Sequence, residues 1–109
     1  HAKIKGALFS YYKHLTMQIK QGYPGPESSM DKLMVAELTK ELFALIQSVH
    51  GPEGVLWKED ARFGTYWQDQ FLTSFGFTIG GGTSEIQRNT IGERILGLPK
   101  DRQREKAKV

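Results

Sequence analysis

The stretch IGGGTSEIQRNTIGERILGLPKD, from Ile79 to Asp101, decides how the chain is read. Three consecutive glycines, Gly80–Gly82, precede two hydroxyl residues, Thr83 and Ser84. Ile86, Ile91 and Ile95 then recur at helical spacing, and Gly97 and Pro99 stop the pattern. The spacing predicts a helix from Ser84 to about Leu96, with the three isoleucines facing inward. Ser84 and Gln87 have capping-box spacing; Thr83 is the alternative cap. Glycines let a backbone approach a ligand closely, and the helix behind them presents unpaired N–H groups and a positive dipole end. Such a turn suits a phosphate, a carboxylate or a polarised carbonyl oxygen, with Thr83, Ser84 and Glu85 adding polar side chains. The pattern is not specific by itself, since many glycine turns simply lead into a helix. It lacks the Gly-Lys-Ser/Thr ending of a Walker A loop, and no strand precedes it as in a dinucleotide fingerprint.

Working outward, three longer helices precede this turn. Ile4, Leu8, Tyr11, Leu15 and Ile19 trace one face of a helix over residues 1–20, which Gly22, Pro24, Gly25 and Pro26 interrupt. A second helix runs from Pro26 or Ser29 to Val49, with Ser28 or Ser29 as its cap. Met30, Leu33, Met34, Leu38, Leu42, Leu45, Ile46 and Val49 form its broad apolar stripe, expected to be buried. His50-Gly51-Pro52 ends it, with Gly51 free to turn left-handed. A third helix is expected from about Lys58 to Phe75; its Phe63, Tyr66, Trp67, Phe71 and Phe75 read as core filling. No strand of convincing length appears. The expected architecture is all-α, an antiparallel bundle of about four helices, with residues 1–99 as the domain and 100–109 as a basic tail.

The 109 residues suffice for one small domain, which buries roughly 65% of the surface its unfolded chain exposes. There is no cysteine, so no disulfide framework and no thiolate metal site. The net charge of +3 is matched by the tail alone, where five Lys/Arg face two Asp/Glu between Lys100 and Val109. A solvated tail is the favoured reading; without interleaved aromatics it does not suit single-stranded nucleic acid. No apolar run reaches the roughly 20 residues of a membrane span, and no metal site is expected. A first residue other than Met leads us to expect a piece of a longer protein.

The string Ile79–Asp101 closely resembles the C-terminal signature of FAD-dependent acyl-CoA dehydrogenases. PGPESSMDKL, Pro24 to Leu33, resembles the start of that family's next helix, and His50-Gly51-Pro52-Glu53-Gly54 resembles its His-Gly-Gly-x-Gly turn. Order and spacing agree over essentially the whole chain. The resemblance implies the C-terminal helical domain of an enzyme that introduces a 2,3 double bond into an acyl-CoA, passes a hydride to FAD and reduces an electron-transfer flavoprotein. It implies assembly as a homo- or hetero-oligomer through this domain, in the cytoplasm of a bacterium or the mitochondrial matrix of a eukaryote.

Carried over by position, the resemblance implies FAD contacts at Thr83, Ser84 and Glu85, and contacts with the FAD of a neighbouring subunit at Ser48, Gly51 and Pro52. It implies acyl-CoA contacts at Gly81 and Gly82. Two departures weaken the second FAD group: Ser48 stands where Gln is usual, and Pro52 replaces a Gly and so lacks a backbone donor. The largest departure is Gly81, at the position of the family's catalytic Glu. No side-chain base exists there, although the Gly81 N–H survives to hydrogen-bond the thioester carbonyl oxygen. Either the base comes from an earlier helix, as the resemblance to isovaleryl- and long-chain-specific members implies, or the subunit is inactive and pairs with an active one. A non-catalytic oligomerisation module is the alternative reading. His1, His14 and His50 lack ligand spacing and read as surface or capping residues. Glu37 and Glu41 read as a solvated face, and Arg88 and Arg94 as salt-bridge or subunit contacts.

Overall fold

The computed structural model describes residues 1–100, Arg62 by its backbone alone; the tail expected at 100–109 lies, beyond Lys100, outside the described residues. Helix α1 spans Ala2–Gln21 and ends on Gly22, whose φ of 81° permits its amide to close back on the Gln18 carbonyl at 2.8 Å. Helix α2 spans Ser28–His50. Two short 3-10 turns, Gly51–Val55 and Lys58–Asp60, lead to a four-residue strand, β1, at Arg62–Thr65. Helix α3 follows at Tyr66–Phe77 and helix α4 at Ser84–Thr90, which widens into a π turn over Ile91–Ile95.

The architecture is the expected all-α bundle. Its antiparallel order shows in the cross-links: Lys3 pairs with Glu41 and His14 with Asp31, so α1 and α2 run opposite ways. Trp67 packs near Phe43 and His50, which sets α3 antiparallel to α2. Lys32 reaches Gly82 and Arg88 reaches Glu37, so α4 turns back from α3 and runs in the same direction as α2. Helix α2 is the central element, touching α1, α3 and α4.

Several local expectations are corrected. The third helix begins at Tyr66 rather than Lys58, because Lys58 and Gly64 take positive φ of 52° and 67°, which no helix accommodates. Ser28 does not cap α2; its hydroxyl donates to the Gly25 carbonyl at 2.8 Å. Gly51 does take positive φ, but with ψ of −137° it lies outside the left-handed helical region. His14 is not a surface residue, since its ring nitrogen meets Asp31 Oδ1 at 2.7 Å in a largely buried pair.

The main correction concerns burial. Among the described residues the buried hydrophobic side chains are only three, Ala7, Ala36 and Ala61. From the α2 stripe, Met30, Leu42, Leu45 and Val49 are exposed, as are Phe63, Tyr66 and Phe75 among the aromatics and Ile86 and Ile95 on the last helix. The molecule is a slab of 54 × 40 × 21 Å with a radius of gyration of 18.2 Å, against about 13 Å for a compact domain of this length. The apolar faces exist where periodicity places them, but the described residues leave them open.

Candidate functional site

The glycine turn joins α3 to α4. Its base is clasped by the Ser84 amide, which donates to the Thr78 carbonyl at 3.1 Å. Gly81 and Gly82 take φ of 69° and 95°, both left-handed and favourable only for glycine. A Cβ on Gly82 would stand 2.7 Å from Gln87 Nε2, while one on Gly81 would meet only the Lys32 stem at 3.9 Å. Thr83 is the N-cap, accepting from the Ile86 amide at 3.3 Å. The Ser84–Gln87 capping box does not form. Gln87 instead donates to the Gly81 carbonyl at 2.9 Å, and Lys32 of α2 donates to the Gly82 carbonyl. Among the described residues, no protein acceptor meets the amides of Gly81, Gly82 or Thr83.

The surroundings are polar on one flank and apolar on the other. Glu37 of α2 lies 3.4 Å from Arg88 and 3.5 Å from Lys40. The nearby Ser84 hydroxyl holds its carboxyl below the usual range, helped by these two cations. That contact falls short of a well-formed hydrogen bond, and Ser84 Oγ, with Gln68 Oε1, is a buried polar atom without a partner. Glu85 is exposed; its own backbone amide and the Thr83 hydroxyl keep its carboxyl low, with a smaller pull from Arg88. Both therefore act as anionic acceptors near neutral pH. On the other flank an open groove of about 400 Å³ runs between α1, α2 and the end of α3, lined by Tyr11, Lys32, Val35, Ala36, Phe77 and Gly80. A second groove of similar volume continues from Tyr11 and Val35 to Ile4, Leu8 and Leu42.

Thr83, Ser84, Glu85, Gly81 and Gly82 thus share one turn. Ser48, Gly51 and Pro52 do not join them. They sit at the far end of α2, about 24 Å along its axis from Lys32 by helical rise, where Ser48 donates to the Leu45 carbonyl at 2.7 Å. Sequence reading overlooked Lys32 altogether, because a lysine fifty residues from its acceptor carries no local signal. No group of three or more metal-capable side chains converges among the described residues. None of the described helices is long and apolar enough to cross a membrane.

The model of the acyl-CoA dehydrogenase C-terminal domain matches residues 1–96. The chain belongs to this family. It is 41% identical over 90 residues to acyl-CoA dehydrogenase IpdE1 of Mycolicibacterium smegmatis, which covers 83% of the chain and 22% of that protein. It is 40% identical over 78 residues to the IpdE1 of Mycobacterium tuberculosis, covering 72% and 20%. The fold matches the ChsE4–ChsE5 complex from Mycobacterium tuberculosis with a TM-score of 0.75 at 30% identity, over 93% of the chain and 26% of the matched one. This acyl-CoA dehydrogenase domain therefore spans about a fifth of the length of its curated relatives.

FAD, which the resemblance implies, is compatible with the glycine turn. The amides of Gly81, Gly82 and Thr83 are unpaired among the described residues, and the adjoining groove is open. Thr83, Glu85 and the Gly81 and Gly82 amides are the groups that would hold its polar edge.

Proposed function

We propose that this domain is the C-terminal part of an FAD-dependent acyl-CoA dehydrogenase, contributing flavin contacts and a subunit interface and inactive by itself. The observation that carries the reading is the unpaired run of amides at Gly81–Thr83 in a domain of this family. Thr83, Ser84 and Glu85 contact FAD, and Ser48, Gly51 and Pro52 approach a second FAD across an interface. Their separation along α2 supports two different flavins rather than one. Bound FAD supplies the hydride acceptor.

The Gly81 amide polarises the thioester carbonyl of an acyl-CoA, and Gly82 leaves room for that approach. Negative charge grows on this oxygen as the α-proton leaves, so a donor aimed there favours the transition state over the ground state. By analogy with oxyanion holes the donor is worth roughly 2.7–4 kcal/mol. Gly81 has no side chain to take the proton, so the base belongs to another part of the protein or to an active partner subunit. Electrons leave to an electron-transfer flavoprotein. The bacterial relatives support a cytoplasmic setting.

The second reading is a helical oligomerisation module within an inactive subunit. The open apolar faces favour it, as does the likeness to a chain of the two-protein ChsE4–ChsE5 complex. Purification of the full-length protein, followed by sizing chromatography and a visible spectrum, separates the two. Stoichiometric yellow flavin in an oligomer supports the dehydrogenase reading; a colourless oligomer supports the module.

A further inference from the structure

We infer that Lys32 and Gln87 are positioning residues for the glycine turn, holding its last two peptide planes so that the Gly82 and Thr83 amides stay turned away from the bundle. The described chain has no cis peptide, so each carbonyl points opposite to the next residue's N–H. Gln87 Nε2 donates to the Gly81 carbonyl at 2.9 Å, which fixes the plane that carries the Gly82 amide. Lys32 Nζ donates to the Gly82 carbonyl, which fixes the plane that carries the Thr83 amide. Both amides are thereby directed away from these side chains, and neither has a protein acceptor.

The two anchors come from different elements, α2 and α4, and both are partly or largely buried. Their need follows from the glycines themselves. A glycine peptide flips readily because no Cβ restricts either dihedral, and a flipped plane presents a carbonyl where a donor was. The clasp at Ser84–Thr78 closes the base of the turn without fixing these planes. Lys32 also places a cation beside a turn proposed to meet a negatively charged oxygen. The geometry stands alone; its catalytic consequence rests on the function proposed above.

Nitrogen-15 relaxation on the 109-residue chain tests the geometry. Lys32→Met and Gln87→Met each remove a donor and keep an apolar stem. Amide order parameters at Gly82 and Thr83 are expected to fall from about 0.85 to below about 0.6, with α1 and the rest of α2 unchanged. Lys32→Arg, which retains donors, is expected to restore them. Unchanged order parameters, or an equal loss throughout the chain, would overturn the proposal. In the flavin-loaded full-length protein the Met variants are expected to lower kcat at least tenfold with little change in KM. Unaltered kcat with a mobile turn would overturn the positioning role. If the wild-type protein binds no flavin, the proposed function falls, while the relaxation result still decides whether the anchors hold the turn.

Discussion

Glu37 Oε1 lies 3.4 Å from Arg88 Nη2, tying the middle of α2 to the helix that follows the glycine turn. The same carboxylate borders the buried Ser84 hydroxyl at the first position of that helix. One acidic residue of the central helix therefore braces α4 just behind the proposed ligand-facing turn. Both members remain over a third exposed, so water screens the pair and its contribution stays below about 1 kcal/mol. Arg88→Ala is expected to lower Tm by no more than a few degrees, read by thermal unfolding.

Acidification has a definite sign. The carboxyls of Glu37 and Glu85 sit below their ordinary pKa in the folded state. Their stabilisation is complete above the unfolded-state value and is lost as the pH falls through the lower, folded values. Denaturant titrations across this acidic range are expected to show falling stability, with a shallower fall in Glu37→Gln. An equal slope in both proteins would remove Glu37 from the account.

The largely buried His14–Asp31 pair matters more than the exposed ones. Asp31→Ala strips a partner from a part-buried ring nitrogen held at 2.7 Å and is expected to cost about 1–3 kcal/mol. Lys3→Ala, which breaks an exposed pair with Glu41 on the same two helices, is expected to cost under about 1 kcal/mol. Urea unfolding of the two variants side by side reads the difference.

The Thr83 hydroxyl serves both the cap and the proposed flavin contact. Thr83→Ala removes the acceptor for the Ile86 amide and is expected to destabilise the domain by about 1 kcal/mol, whereas Thr83→Ser keeps the cap. In the full-length protein, flavin retention on dialysis is expected to drop in the Ala variant and hold in the Ser variant.

Gly81 and Gly82 are both left-handed, yet they differ in the space around them. Alanine at either carries a conformational cost of roughly 1–2 kcal/mol. At Gly82 the new methyl also meets Gln87 Nε2 at 2.7 Å and displaces the anchor of the Gly81 carbonyl. Gly82→Ala is therefore expected to lower Tm more than Gly81→Ala, and equal effects would argue against the Gln87 contact.

Much of this was legible in the residues. The helical periods located α1 and α2 closely, and the Thr83–Ser84 pair marked the start of α4. The 58–65 stretch departs from its expected helix: its aromatic spacing suits one, while Lys58 and Gly64 turn the backbone out of it. Burial departs from expectation for a different reason. Periodicity says which face of a helix is apolar but not whether the same chain covers it, and Leu45, Val49 and Ile86 lie uncovered here. The glycine turn is visible in the local order Gly80–Ser84. Its anchors were not, since Lys32 meets Gly82 only after α2 and α4 have packed.

Anaerobic titration of the purified full-length protein with acyl-CoA thioesters, followed in the visible flavin bands, bears on the central claim most directly. A turn that faces flavin and thioester predicts bound flavin that bleaches on adding a thioester with hydrogens at both C2 and C3. Fully loaded flavin that no thioester bleaches, with or without a partner subunit, would contradict it.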